Sequence, residues 1–173
     1  MPPITGPIVE TLQANRSIVP RLRRSTSGDG LVASVCTGAF FLAEAGMLAS
    51  CRATTNPLLA DTFRQTYSNV TLVPEERLVD EGRVLCAGST TAFLDLAIYL
   101  VDRIAGHEIA VLTAKSLCVD MSHRSQIPYF VYVAPKNHGD GAVLSLQQWM
   151  ELQHGEAITS DHLARRGAMS SAA

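Results

Sequence analysis

The sequence predicts an α/β domain, a largely parallel sheet flanked by helices. Three observations carry this. Short apolar, β-branched runs alternate with helix-patterned segments along most of the chain, the signature of strand–helix–strand units. Hydrophobic residues make up 47% of the 173 and charged residues 17%, enough for a real core without disulfide staples. And "LVASV" breaks at Cys36-Thr37-Gly38 before the chain turns helical, placing a strand–turn–helix junction where such sheets bind ligands.

Taken in order, Ile8, Leu12, Ile18 and Leu22 share one face of a first helix, with Pro7 at its first turn. "RLRRSTSGDG" reads as a polar loop whose arginines form a solvated face. "LVASV" is a short buried strand, and "AFFLAEAGML" a helix that Gly46 can end. "CRATT" is strand-like, "NPLLADTFRQTY" a helix opened by Pro57, and "VTLVP" a strand. "RLVDEGRVLCAG" carries the clearest local signal: two apolar runs flank Asp80-Glu81-Gly82, a hairpin turn. Ser89 or Thr90 can cap the next helix. Leu94, Ile98, Val101 and Ile104 would line one of its faces, and Gly106 would stop it. "HEIAVLTAKSLCV" is a further helix, "SQIPYFVYVAP" is extended, and "AVLSLQQWMELQHG" is amphipathic. A last helix is capped by Thr159 or Ser160.

Composition excludes several classes. Net charge is -2 and the isoelectric point near 6.2, unlike a self-sufficient DNA-binding domain. The four cysteines, Cys36, Cys51, Cys86 and Cys118, form no CxxC pair or Cys/His cluster, so no metal is expected. "MPPITGPIVE" lacks the pattern of a signal peptide, and no apolar run approaches the ~20 residues of a membrane span. The expectation is a cytoplasmic protein with reduced thiols and no cofactor.

The chemistry concentrates at Cys36. "Ser34-Val35-Cys36-Thr37-Gly38" has the form small-x-nucleophile-x-Gly, which a sharp nucleophile elbow needs because its flanks are crowded. The positive end of a helix favours thiolate over thiol. The backbone N–H groups of Thr37 and Gly38 can stabilise an oxyanion, and the Thr37 hydroxyl can bond a ligand. Spacing alone leaves an equal alternative, a buried cysteine in a core strand. A catalytic cysteine also wants a base and an orienting acid. None of His107, His123, His138, His154 and His162 is adjacent in sequence, and surface or capping roles suit them better. Asp95 suits hydrogen bonding near a helix start. Cys51, Cys86 and Cys118 read as core filler.

"ASVCTGAFFLAEAGML", "CRATTN" and "RLVDEGRVLCAGSTTAFLDLAIYLVDRIAG", in that order, resemble the ThiJ/PfpI superfamily, the class I glutamine amidotransferase-like, flavodoxin-like fold. More narrowly they resemble the sensor domain of AraC-type transcriptional regulators. "LSLQQWMELQHGEAITSDHLARRGAMS" is similar to the linker and first helix of those regulators' helix-turn-helix domain. The resemblance covers about residues 30 to 170. It implies a partial sensor domain over residues 1–145, and over 146–173 the start of a helix-turn-helix domain that lacks its recognition helix.

In the superfamily the reactive cysteine sits at the elbow, which maps to Cys36. Hydrolase-like members place a histidine directly after it. This chain has Thr37, as the regulators and the isonitrile hydratases do, and that argues against a peptidase or amidase dyad. The family carries several strands and helices before the elbow, whereas 35 residues precede Cys36 here, so the fold is expected to be incomplete at the N-terminus and to leave a sheet edge open. No position matches the acid that usually approaches the cysteine. Glu10 does not sit in a matching motif. Where the regulators commonly read Thr-Thr-His-Trp, this chain reads Thr54-Thr55-Asn56-Pro57.

The resemblance therefore implies a ligand-sensing domain of an AraC-family regulator. Cys36, Thr37 and Gly38 would floor a small-molecule pocket, without turnover. The expected partners are that ligand, a second copy in a homodimer, and DNA only through a complete helix-turn-helix; no membrane is expected. The alternative is a cysteine-dependent enzyme of the isonitrile hydratase or amidotransferase-like kind, with Cys36 as its nucleophile. A third reading is an oligomerisation module without ligand.

Overall fold

The computed structural model describes residues 1–25, 30–121, 125–130, 136–153, 155 and 157–167. It divides into two compact units, Met1–Phe130 and Val131–Ala173. The junction at 145/146, where the sequence places the change of domain, lies within a helix of the second unit.

In the first unit the opening segment is two helices, α1 (Ile8–Ala14) and α2 (Val19–Ser25), joined by a 3-10 turn at Arg16–Ile18. The single helical face expected there is split. Pro20 is tolerated because it falls in the first turn of α2. Helix α2 runs on through the arginines to Ser25, where a loop was expected, and it buries only Leu22. The periodicity that seats Leu22 also carries Arg21, Arg23 and Arg24 round on the exposed side.

Strand β1 (Val32–Val35) leads through a 3-10 turn at Cys36–Gly38 into α3 (Ala39–Glu44), and Gly46 takes the left-handed φ of 72° that lets the chain leave the helix. Then come β2 (Arg52–Ala53), α4 (Ala60–Thr66) and β3 (Thr71–Leu72). Asn56 caps the turn before α4, its side-chain oxygen accepting from Leu58 N at 3.0 Å. The predicted hairpin is β4 (Leu78–Asp80) and β5 (Val84–Ala87). Asp80 Oδ1 accepts from Gly82 N at 2.6 Å, and Gly82 supplies the φ of 80°.

The strands β1, β5 and β4 form one sheet in that order. β1 pairs parallel with β5, from Val32 opposite Val84 to Val35 opposite Ala87, and β4 pairs antiparallel with β5. β2 and β3 form a parallel pair. The edge of β1 that the sequence leaves open is partly covered: Val35 N donates to Met1 O at 3.0 Å, and the Met1 amino group donates to Ala33 O.

Period-two alternation sorts the three-stranded sheet into two faces. Val32, Val79, Val84 and Cys86 pack with Phe40, Leu42, Leu48 and Phe63 on the α3/α4 side. Leu85 and Ala87 pack with Ala92 and Leu96 on the other. That second side belongs to α5 (Phe93–Ala105) and α6 (His107–Ser116), separated by Gly106 at φ 92°. The stripe expected on α5 is corrected. Ile104 is 75% exposed, while Leu96 faces the sheet and Ile98 packs on Ala110 and Ala114 of α6. A helix wedged between a sheet and another helix buries two narrow stripes, not one wide one. A 3-10 turn at Ile127–Tyr129 stands where an extended run was expected; residues 131–135 of that run lie outside the described residues.

In the second unit, α7 (Gly141–Leu152) is capped by Asp140, whose Oδ1 accepts from Ala142 N and Val143 N, both at 3.0 Å. Helix α8 (Ser160–Gly167) opens where Thr159 Oγ1 accepts from His162 N at 3.3 Å. The Arg166 guanidinium lies 4.7 Å from the Trp149 ring, a cation–π contact between the two helices.

Candidate functional site at Cys36

The turn after β1 carries an unusual backbone feature. Cys36 has φ +55°, a left-handed conformation that an L side chain rarely takes. It leaves β1 in extended geometry at Val35 and enters the 3-10 turn directly, so the side chain is thrown out at the end of the sheet. Helix α3 is only six residues long, so little helix dipole stands behind the thiol.

Cys36 is nonetheless only 3% exposed, which corrects the picture of an openly displayed thiol. Among the described residues, two side chains reach its sulfur. Asn56 Nδ2 and Thr90 Oγ1 each donate toward Sγ at 3.5 Å. Thr55 Oγ1 donates to the Cys36 carbonyl at 3.0 Å. Thr90 is itself exposed and Asn56 half-buried, so the sulfur lies one side-chain layer below the surface.

Thr37 and Gly38 are covered by the N-terminal segment. Thr37 Oγ1 accepts from Ile4 N at 2.6 Å and donates to Ile4 O at 3.2 Å. A Cβ on Gly38 would stand 2.5 Å from Met1 O and 2.7 Å from Pro2 O, so only glycine admits this N-terminal segment. Residues 1–4 thus lie over the turn and take the hydroxyl that the sequence offered to a ligand.

Among the described residues, neither side chain on the sulfur is a base that could take its proton. His107 is exposed and bonds Asp102 at 3.2 Å; His138 pairs with Gln147 at 3.2 Å. His162 lies in α8 of the second unit, and His123 and His154 lie outside the described residues. Glu10 is exposed on α1. Asp95 forms a largely buried ion pair with Arg77, 2.7 Å apart, as its place near a helix start suggested. Of the other cysteines only Cys86 is core; Cys51 is half-buried and Cys118 exposed. Burial pushes the Cys86 thiol up to about 11, which marks it as a protonated, inert group.

Sequence reading pointed to Cys36 but missed two of its surroundings. In sequence Thr90 is only a candidate helix cap. Gln126 carries one sequence signal, a lone glutamine among the apolar and aromatic residues of "SQIPYF". Its side chain is fully buried beside Thr54 and Thr55. A separate cleft of about 860 Å³, lined by Leu78, Asp95, Ile98, Tyr99, Asp102 and Val119 among others, does not include Cys36, Thr37 or Gly38.

Comparison with known proteins places this arrangement. The sequence model of the DJ-1/PfpI family matches residues 6–103. The HTH-type transcriptional regulator CdhR of Pseudomonas aeruginosa is 32% identical over 95 residues, 55% of this chain and 28% of the regulator. Isonitrile hydratase of Pseudomonas putida is 30% identical over 113 residues, 65% of this chain and 46% of that protein. The chain therefore spans less than half the length of either relative. The crystal structure of an AraC family transcriptional regulator from Pseudomonas putida has the same fold, with a TM-score of 0.54 at 19% identity over 60% of this chain and 55% of that one. With the Cys36 turn inside the matched span, the chain belongs to the DJ-1/PfpI family.

Proposed function

We propose that this chain is the ligand-sensing part of an AraC-family transcriptional regulator, and that the turn at Cys36 is its sensing site. The observation that carries the reading is the pair of donors on the sulfur. An amide and a hydroxyl hold Sγ, and neither can act as a general base at neutral pH. A thiol so held can recognise an acceptor group or form a reversible adduct, and among the described residues no base stands beside it to relay the proton that turnover needs. The similarity to a transcriptional regulator agrees with this reading.

In this reading the pocket over Cys36, Thr37 and Gly38 opens when the covering side chains and residues 1–4 give way. Residues 146–173 then begin the DNA-reading part, and a homodimer covers the remaining sheet edge beside β1. Sequence-specific DNA binding needs a complete helix-turn-helix.

A second reading has its own support. A left-handed Cys36 at a strand end is compatible with a nucleophile elbow, and isonitrile hydratase is among the relatives. One experiment separates the two. The purified chain is treated with iodoacetamide, labelling is resolved by cysteine, and cyclohexyl isonitrile is offered as a substrate probe. The sensing site predicts that Cys36 labels at least about tenfold faster than the inert Cys86, with no hydration of the isonitrile. Hydration that a Cys36→Ala variant abolishes would establish the enzyme instead. Equal labelling of Cys36 and Cys86 would remove the site altogether.

A further inference from the structure

The two loops that touch the Cys36 sulfur share a third neighbour. Gln126 has no exposed surface, and its carboxamide is wedged between them. Its Nε2 donates to Pro74 O at 2.5 Å and lies 3.3 Å from both Thr55 O and Thr54 Oγ1. The two carbonyls fix which end of the amide is nitrogen. On the other side, the three heavy atoms nearest to a Cβ built on Gly88 all belong to Gln126, at 2.3, 2.5 and 2.7 Å. Gly88 has no positive φ, so its lack of a side chain answers to space and not to backbone conformation.

The same residue anchors the end of the first unit. Gln126 N donates to Glu75 O at 2.9 Å, Ser125 Oγ donates to Glu75 O at 3.2 Å, and Ser125 bridges Glu76 in antiparallel fashion. Phe130, four residues on, is the last residue before the second unit. Gln126 therefore touches the 54–56 loop, whose Thr55 and Asn56 bond Cys36, and the 88–90 loop, whose Thr90 bonds Cys36, while holding the segment through which the chain leaves.

We infer that Gln126 is a latch: its seat exists only while the Cys36 loops keep their present positions, and its release frees segment 125–130. The inference rests on Cys36 being the sensing site and names how occupancy there is passed on. A group added at Sγ must displace Asn56 Nδ2 and Thr90 Oγ1. Thr55, next to Asn56, and Gly88, two residues before Thr90, form the walls of the Gln126 seat. A buried amide has two discrete arrangements, seated with its donors used or withdrawn into water, and little between them. Such an element lets one site bias another, and by linkage the bias runs both ways.

The test uses both directions. In wild type, carbamidomethylation of Cys36 is expected to raise amide hydrogen exchange in residues 125–130 about tenfold while β5 keeps its protection. In reverse, Gly88→Ala and Gln126→Ala are each expected to raise exchange in 125–130 and to speed Cys36 labelling at least about threefold. The double variant should be no worse than Gln126→Ala alone, because the added methyl then has nothing to meet. Unchanged Cys36 labelling in variants whose 125–130 segment has loosened would overturn the latch. If the variants speed Cys36 labelling but the alkylated wild type exchanges like the free protein, the latch is overturned, because the bias must run both ways. Labelling of Cys36 no faster than of Cys86 removes the sensing site instead and leaves the variant arm to decide the latch. The wild-type arm needs no substitution, so unfolding of a variant leaves it decisive: no change there, with variants that lose β5 protection as well, counts against the proposal.

Discussion

The two faces of the three-stranded sheet are held together by different forces. On the α3/α4 side, Phe40, Phe63 and Tyr67 interlock. Phe40 meets Phe63 edge-on with ring centroids 4.9 Å apart, and Phe63 lies 5.1 Å from Tyr67. On the α5/α6 side the core is thinner and charge takes over. Arg77 pairs with Asp95 at 2.7 Å, Arg103 with Asp80 at 3.0 Å, and Tyr99 with Asp80. The cleft of about 860 Å³ opens on this second side. The contrast teaches that one face is a rigid floor and the other a face that can rearrange. Apolar packing is destroyed by small shifts, whereas a partly exposed pair such as Arg103–Asp80 tolerates them.

The largest effect expected from this contrast is in the aromatic floor. Phe40→Ala should cost about 3–5 kcal/mol, read from the urea midpoint. Ile98→Ala, at the wall of the cleft, should cost about 2 kcal/mol, because fewer atoms surround it. Equal costs would erase the distinction between the faces.

The next effect sharpens the charged side. Arg77→Met leaves the Asp95 carboxylate, whose side chain is only 14% exposed, without its guanidinium. The expected loss is about 3 kcal/mol, the low end for a broken buried pair, and urea midpoints of the single and double variants read it. Arg77→Met combined with Asp95→Leu should recover most of that loss. If the double variant is as unstable as the single, the pair does not hold α5 to the β4 end.

The smallest effect separates the faces by pH. Cys86 lies on the aromatic side, and burial raises its thiol from 9.0 to about 11. Tyr67 shifts the same way, through burial first and then the charge and hydrogen bond of Glu44. A folded-state value above the unfolded one means that the stability is fully present below pH 9. It falls between about pH 9 and 11 as the unfolded thiol ionises first, by at most about 2–3 kcal/mol for Cys86. Urea midpoints from pH 8 to 11 should show this decline, and Cys86→Ala should flatten it. A stability that stays level to pH 11 would mean that the floor admits water.

Much of this was legible in the sequence. Asp80-Glu81-Gly82 fixed the hairpin, because only glycine suits its positive φ and the aspartate oxygen caps the turn. "LVASVCTG" fixed both the strand and the turn that ends it, and Pro57 the start of the next helical segment. The apolar runs of "LVASV" and "RVLCAG" marked buried strands. These are local matters, settled by backbone conformation and period within a few residues.

What only the tertiary structure decided is which groups meet. Asn56 and Thr90 lie 20 and 54 residues from Cys36 in the chain, yet both reach its sulfur. Ile4 takes the Thr37 hydroxyl from 33 residues away, and Gln126 fills a space left by Gly88. Composition and period cannot assign such partners, because hydrogen-bond satisfaction is settled by three-dimensional proximity and by competition among buried groups. The sequence by itself therefore determined that a cysteine stands at a tight strand end. The packed fold decided that this cysteine is covered, held by donors, and tied through the surrounding loops to the end of the first unit.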